Sequence, residues 1–149
     1  MNDPQEPIQW NEFFMGVADL AARRSKDPRT KVGACIVDER KRIVATGYNG
    51  MVTCADNDTL FPWAREGPPL ETKYFYVVHA EANAILNAVT ELKGSTLFVT
   101  RYPCHECTKL IAQTGIKTVL YRGEIVPEDD STQAAQRIFE ACDIDVYEF

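Results

Sequence analysis

From residue 80 onward the chain alternates helix-like and strand-like stretches, an order that few folds accommodate. Residues 80–92 are rich in Ala, Leu, Glu and Asn and predict a helix that Gly94-Ser95 ends. TLFVT (96–100) then reads as a buried strand, 104–114 as a helix stopped by Gly115, and IKTVLY (116–121) as a further strand. After an acidic loop, Asp130 or Ser131 is placed to cap a helix running to about Ala141, and 144–147 make a last short strand. Strands joined in this way through helices run parallel, with the helices laid on the sheet.

The first half is built differently. Residues 8–24 set Phe13, Phe14, Val17, Ala18, Leu20 and Ala21 at helical spacing, with Arg23 and Arg24 near the end, and Asp27-Pro28 stops the run. KVGACIVD (31–38) and RIVATGY (42–48) flank the short charged turn Glu39-Arg40-Lys41 and read as a hairpin. The full order, α-β-β-α-β-α-β-α-β, predicts an α/β chain with a five-stranded mixed sheet and helices on both faces. No linker or repeat divides it, so residues 1–149 are expected to form one domain, a size that buries most of its apolar surface. Residues 49–78 are irregular and rich in Gly, Pro, Asp and Asn. Loops this long inside a compact domain tend to carry function, and this one leads into His79, so a lid is expected.

The net charge of −6 argues against a nucleic-acid partner, because phosphate backbones are bound by clustered Lys and Arg. A small anionic ligand needs only a few local cations. The start, Met1-Asn2-Asp3-Pro4-Gln5-Glu6-Pro7, has neither the basic nor the apolar part of a signal peptide, and no stretch approaches a membrane span. A soluble, cytoplasmic chain without a membrane partner is expected. In that setting the five cysteines are thiols or metal ligands rather than a disulfide framework. Cys35, in a strand, and Cys142, at a helix end, read as small core residues; Cys54 lies in a loop.

Cys104 and Cys107 differ. His79-Ala80-Glu81 and Pro103-Cys104-His105-Glu106-Cys107 fall at the starts of two successive helices. Pro suits a helix start, and cysteines three apart face one way. The positive helix end favours both thiolates. With His79 as a nitrogen ligand, three protein donors leave one tetrahedral position open, which is the catalytic rather than the structural pattern for zinc. Glu81, two residues past the histidine, projects beside the metal and is placed to shuttle a proton. The second histidine, His105, lies on another face of its helix, so neither a fourth protein ligand nor a second zinc site is expected. One zinc per chain follows, held by His79, Cys104 and Cys107 with Glu81 catalytic. Zinc nucleobase deaminases share this H-x-E and P-C-x-x-C pattern.

Further stretches carry a closer resemblance: Trp10-Asn11-Glu12-Phe13-Phe14-Met15, Arg24-Ser25-Lys26-Asp27-Pro28, Lys31-Val32-Gly33-Ala34-Cys35-Ile36-Val37, Gly47-Tyr48-Asn49-Gly50-Met51, Pro62-Trp63, Thr72-Lys73-Tyr74 and the run from His79 to Asn87. In these the chain resembles the dCMP deaminases, within the zinc-dependent cytidine and deoxycytidylate deaminases. The resemblance implies a cytidine deaminase-like three-layer α/β/α sandwich and conversion of dCMP to dUMP with release of ammonia, feeding dTTP synthesis. It implies a homohexamer activated by dCTP and inhibited by dTTP, with Mg2+ accompanying a bound triphosphate effector. Asn49 would contact the sugar, main chain near Ala80 the base, and Ser25 and Lys26 the phosphate. Two stretches depart from the family pattern: Val52-Thr53-Cys54 follows Met51, and the loop 123–130 carries acidic residues and no aromatic. Turnover of dCTP, alone or beside dCMP, is therefore the alternative activity. A tRNA adenosine or polynucleotide cytidine deaminase would need basic surface. A non-catalytic nucleotide sensor would have no use for Glu81.

Overall fold

The structure is a computed structural model that describes residues 4–55 and 60–149. The first three residues of the N-terminal stretch, and residues 56–59 of the long irregular segment, lie outside the described residues. The chain runs α1 (Trp10–Ala22), β1 (Gly33–Val37), β2 (Ile43–Tyr48), β3 (Gly50–Met51), β4 (Val77–Val78), α2 (Ala80–Asn87), β5 (Thr96–Val99), α3 (His105–Thr114), β6 (Thr118–Tyr121), α4 (Asp130–Ala141) and β7 (Asp145–Glu148).

The sheet has the order β2-β1-β5-β6-β7. β1 pairs antiparallel with both β2 and β5, whereas β5, β6 and β7 run parallel, as their helical connections require. Side chains alternate cleanly between its faces. Ala34, Ile36, Leu97, Val99, Val119 and Tyr121 meet Ala80 and Ala84 of α2, Ile111 of α3 and Phe139 of α4. Cys35, Val37, Phe98 and Leu120 meet Phe14, Met15 and Ala18 of α1. Every residue of β1 is buried, which suits a central strand covered on both sides. Three layers result: α1, the sheet, then α2, α3 and α4. Among the described residues no helix is long and apolar enough to cross a membrane.

Glycine sets the spacing of two layers. A Cβ on Gly33 would run into the backbone of Ala18 and Ala22 in α1, and one on Gly47 into that of Ala80 and Ala84 in α2. Both helices sit against the hairpin at a distance that only glycine permits.

Several expectations are corrected. The helix predicted over 80–92 stops at Asn87, and Ala88 is already extended, with φ −68° and ψ 134°. The Asn87 amide donates to the Thr46 carbonyl, the β-branched pair Val89-Thr90 follows, and the chain turns so that Leu92 enters the core. The cap of α4 is Asp129, whose carboxylate accepts from the Thr132 N–H, rather than Asp130 or Ser131. Cys142 is exposed, not a core residue, whereas Cys35 is buried. The long segment also carries a two-stranded ribbon that periodicity did not reveal, Gly50 opposite Val78 and Met51 opposite Val77, besides short 3-10 turns at Thr53–Ala55, Pro69–Glu71 and Lys73–Phe75.

Candidate active site

Two helix starts bring the chemistry together. His79 is the residue before α2 and Cys104 the residue before α3, both with extended backbone. The His79 Nδ1 lies 3.4 Å from the Cys104 Sγ and 3.4 Å from the Cys107 Sγ. Tetrahedral zinc, with Zn–S near 2.3 Å and Zn–N near 2.0 Å, separates sulfur from nitrogen by about 3.5 Å. The donor set therefore fits a shared zinc ion, with Nδ1 as the imidazole ligand. Among the described residues His79, Cys104 and Cys107 form the one group of metal-ligand type whose donor atoms converge within 4.8 Å. His105 faces elsewhere: its peptide N–H donates to the Ser131 hydroxyl, and its Nδ1 pairs with the same oxygen at 2.8 Å. That bond ties α4 to the start of α3 and explains why Ser131 does not cap its own helix.

The thiols share their charge unevenly. Hydrogen bonding with Cys107, helped by His79 and opposed by burial, pulls the Cys104 thiol down to about 4. The Cys107 thiol is pushed up by that same sharing with Cys104 and by burial. The Cys107 N–H also donates to the Cys104 sulfur at 3.5 Å, so the helix start itself supports a thiolate. His79 is raised by its hydrogen bond to Cys104. Of the two thiols, Cys104 is the one the site favours as a thiolate.

Glu81 is 4% exposed and stands in the first turn of α2, outside the converging donor set. Burial pushes its carboxyl above the usual carboxylate range. A buried carboxyl beside three metal-type donors holds a proton readily, as a proton carrier must.

A cavity of about 300 Å³ opens over these groups. His79, Ala80, Glu81 and Cys104 line it together with Asn49, Thr30, Lys73 and Arg65. Asn49 is buried, and its amide is engaged on both sides: Oδ1 accepts from Val32 N–H at 2.9 Å and Nδ2 donates to the Thr30 carbonyl at 2.9 Å. One N–H and one lone pair remain for a ligand. Ser25 is buried outside the cavity lining, where its hydroxyl donates to the Asn49 carbonyl and accepts from the Asp27 N–H. Lys26 is exposed and does not line the cavity.

Three cations that received no role from the sequence do line it: Arg65, Lys73 and Arg101. Lys73 forms a buried ion pair with Asp27, 46 residues earlier in the chain. Burial alone would raise the Asp27 carboxyl, but hydrogen bonds from Lys73 and from the Thr30 and Arg29 N–H groups hold it below its usual range. RSKDP and TKY were visible as motifs, yet nothing in a linear pattern pairs an aspartate with a lysine so far away. The loop after β6 contributes Glu124, Ile125 and Val126 to the lining and no aromatic ring, whereas Tyr74 and Tyr102 line the cavity from other parts of the chain.

Residues 8–122 match the family described as the cytidine and deoxycytidylate deaminase zinc-binding region. The chain belongs to that family. It is 48% identical to human deoxycytidylate deaminase over 134 residues, covering 89% of this chain and 75% of that protein. It is 44% identical to the mouse deoxycytidylate deaminase over 144 residues, covering 95% and 80%. Among solved structures, the dCMP deaminase of cyanophage S-TIM5 in complex with dCMP and dUMP superposes with a TM-score of 0.74 at 31% identity, over the full length of both chains. The three-layer arrangement is thus the cytidine deaminase-like fold, and the chain is a deaminase of the zinc-binding type.

Proposed function

We propose that this chain hydrolyses dCMP to dUMP and ammonia at the His79-Cys104-Cys107 centre, as a single domain spanning residues 1–149. The observation that carries the reading is the zinc-sized donor triad with the buried carboxyl of Glu81 beside it in the cavity lining. Bound zinc supplies the Lewis acidity that makes water a nucleophile at neutral pH. Glu81 takes a proton from the attacking water and delivers it to N3 of the base, which makes C4 electrophilic. Water oxygen adds at C4, Glu81 carries the remaining hydroxyl proton to the amino group, and the C4–N bond breaks, leaving a C4 carbonyl and ammonia. Raised proton affinity suits each of those steps. Ala80 main chain, lining the same cavity, meets the base, and the remaining amide valences of Asn49 meet the sugar hydroxyl. The relatives named deoxycytidylate deaminase, at 44–48% identity, support the choice of nucleotide.

The second reading, dCTP in place of or beside dCMP, is favoured by the loop after β6, which brings Glu124, Ile125 and Val126 to the cavity and no aromatic ring of its own. The resemblance in RSKDP and GYNGM further supports a cytoplasmic homohexamer that feeds dTTP synthesis, activated by dCTP with Mg2+ and inhibited by dTTP. Ammonia release and absorbance change should be followed with dCMP, dCTP, cytidine and deoxycytidine, each with and without dCTP or dTTP. Turnover is expected with dCMP, and zinc-loaded protein inert towards all four would refute deamination. Glu81→Gln should keep its zinc and lose activity by about 10²–10⁴-fold, the usual worth of a positioned general acid–base. Loss of metal instead would make Glu81 a ligand and the role given to it wrong.

A further inference from the structure

We propose that Ser131 is a positioning residue: through His105 its hydroxyl fastens the loop after β6 to the start of α3, and so fixes the part of the cavity lining which that loop supplies. This role deepens the dCMP reading above and rests on it. The loop brings Glu124, Ile125 and Val126 to the cavity. Yet residues 123–130 are exposed, apart from half-buried Ile125. Packing alone holds such a segment loosely, so its place depends on hydrogen bonds. Those bonds run to the start of α4. The Asp129 N–H donates to the Val126 carbonyl at 3.1 Å, and the Gln133 side-chain amide donates to the Pro127 carbonyl at 3.0 Å. The Asp129 carboxylate accepts from the Thr132 N–H, which ties the loop to the first turn of the helix.

That first turn is joined to α3 by Ser131. Its hydroxyl accepts from the His105 peptide N–H at 3.0 Å and pairs with His105 Nδ1 at 2.8 Å. The peptide donor is one of the N–H groups that a helix start leaves without an intrahelical partner, and the hydroxyl satisfies it from the neighbouring helix. The α3 side of the link is the firm one. The Cys104 carbonyl accepts from both the N–H and the hydroxyl of Thr108, at 2.9 and 2.8 Å, and Cys107, Thr108 and Ile111 are buried. Loss of the Ser131 hydroxyl therefore frees the loop rather than the ligand cysteines. His105 does not line the cavity whereas Ser131 does, so the two side chains separate positioning from direct contact with a ligand.

In Ser131→Ala the KM for dCMP should rise about 2–12-fold, the net worth of one hydrogen bond, with a smaller change in kcat. Calorimetric dUMP binding to the zinc-loaded protein should weaken by a similar factor, and bound zinc per chain should stay at the parental value. Ser131→Thr keeps the hydroxyl and should recover KM. His105→Ala loses the imidazole bond but keeps the peptide one, so its KM should rise as well, by less. A Ser131→Ala protein whose Tm falls while KM and dUMP affinity stay within twofold of the parent overturns the role. So does loss of zinc, which would place the bond in service of the ligands. A raised KM in Ser131→Ala beside a parental KM in His105→Ala makes Ser131 a direct contact and overturns it too. The two readings fail separately: dUMP affinity that follows Ser131 and His105 in a chain that turns over no cytosine nucleotide refutes deamination and upholds the link. Turnover and binding indifferent to both residues do the reverse.

Discussion

Replacing Gly47 by alanine probes how the sheet positions the catalytic helix. A Cβ at that position would lie 3.0 Å from the Ala84 Cα and nearer still to the Ala80 oxygen and Ala84 nitrogen, all backbone atoms of α2. Backbone inside a packed helix cannot swing aside as a side chain can, so α2 as a body must retreat by roughly 0.5–1 Å, with the overpacking cost of about 1–3 kcal/mol typical of such insertions. For a domain of this size each kcal/mol lowers Tm by about 2–4 °C, so a fall of roughly 2–12 °C is expected. His79 precedes α2 and Glu81 lies in its first turn, whereas Cys104 and Cys107 belong to the start of α3. Retreat of α2 therefore separates His79 and Glu81 from Cys104 and Cys107. A misplacement near 1 Å costs up to about 10²-fold in rate. The assays are thermal unfolding, bound zinc per chain and dCMP turnover. Gly16→Ala supplies the control: Gly16 lies inside α1, and an added methyl there would meet nothing within 4 Å, so Tm should rise slightly and turnover should hold. A Gly47→Ala protein with parental Tm, zinc and rate would refute the account of α2 placement.

The Asp27–Lys73 pair predicts an acid limb of stability. The folded Asp27 carboxyl is held below its unfolded value, so its contribution is present at pH above that value, near 4, and is lost as pH falls through the folded value. Denaturant midpoints measured between pH 7 and pH 3 should therefore fall more for the parent protein than for Asp27→Asn, and parallel curves would remove the pair from the stability account. Metal removal should stop turnover without unfolding the chain, since the donor atoms are held by helix starts whose hydrophobic faces are buried elsewhere. Thiol titration checks this: Cys54 and Cys142 are exposed and should react at once, whereas Cys104 should react only after chelation. A holoprotein whose Cys104 is already reactive would contradict metal ligation.

Much of the architecture was legible because it is local. Period-two alternation in GACIV and TLFV sorts side chains between two faces, and Gly115, at φ 78°, ends α3 where glycine alone is at ease. The same locality made the metal site readable, because each motif sits at a helix start whose direction the sequence already implies. Where the reading failed, a distant partner decided the outcome. Helix α2 is cut short by the bond from Asn87 to Thr46, 41 residues away, although its composition favours continuation. Ser131 leaves the capping position to Asp129 because His105 claims its hydroxyl. Asn49, expected to serve substrate, spends half of its amide on the Thr30–Val32 backbone, so the proposed contact would combine positioning and recognition in one side chain. That combination has a consequence for specificity. A group already fixed by two backbone bonds would lose little entropy on binding the sugar hydroxyl proposed for it, so discrimination there would arise from geometry set before substrate arrives. The cations are held in the same manner, Lys73 by Asp27 and Arg65 by Tyr74. The metal-ligand motifs are thus short and local, while the placement of the cavity's Asn49 and Lys73 depends on long-range contacts that only the folded chain assembles.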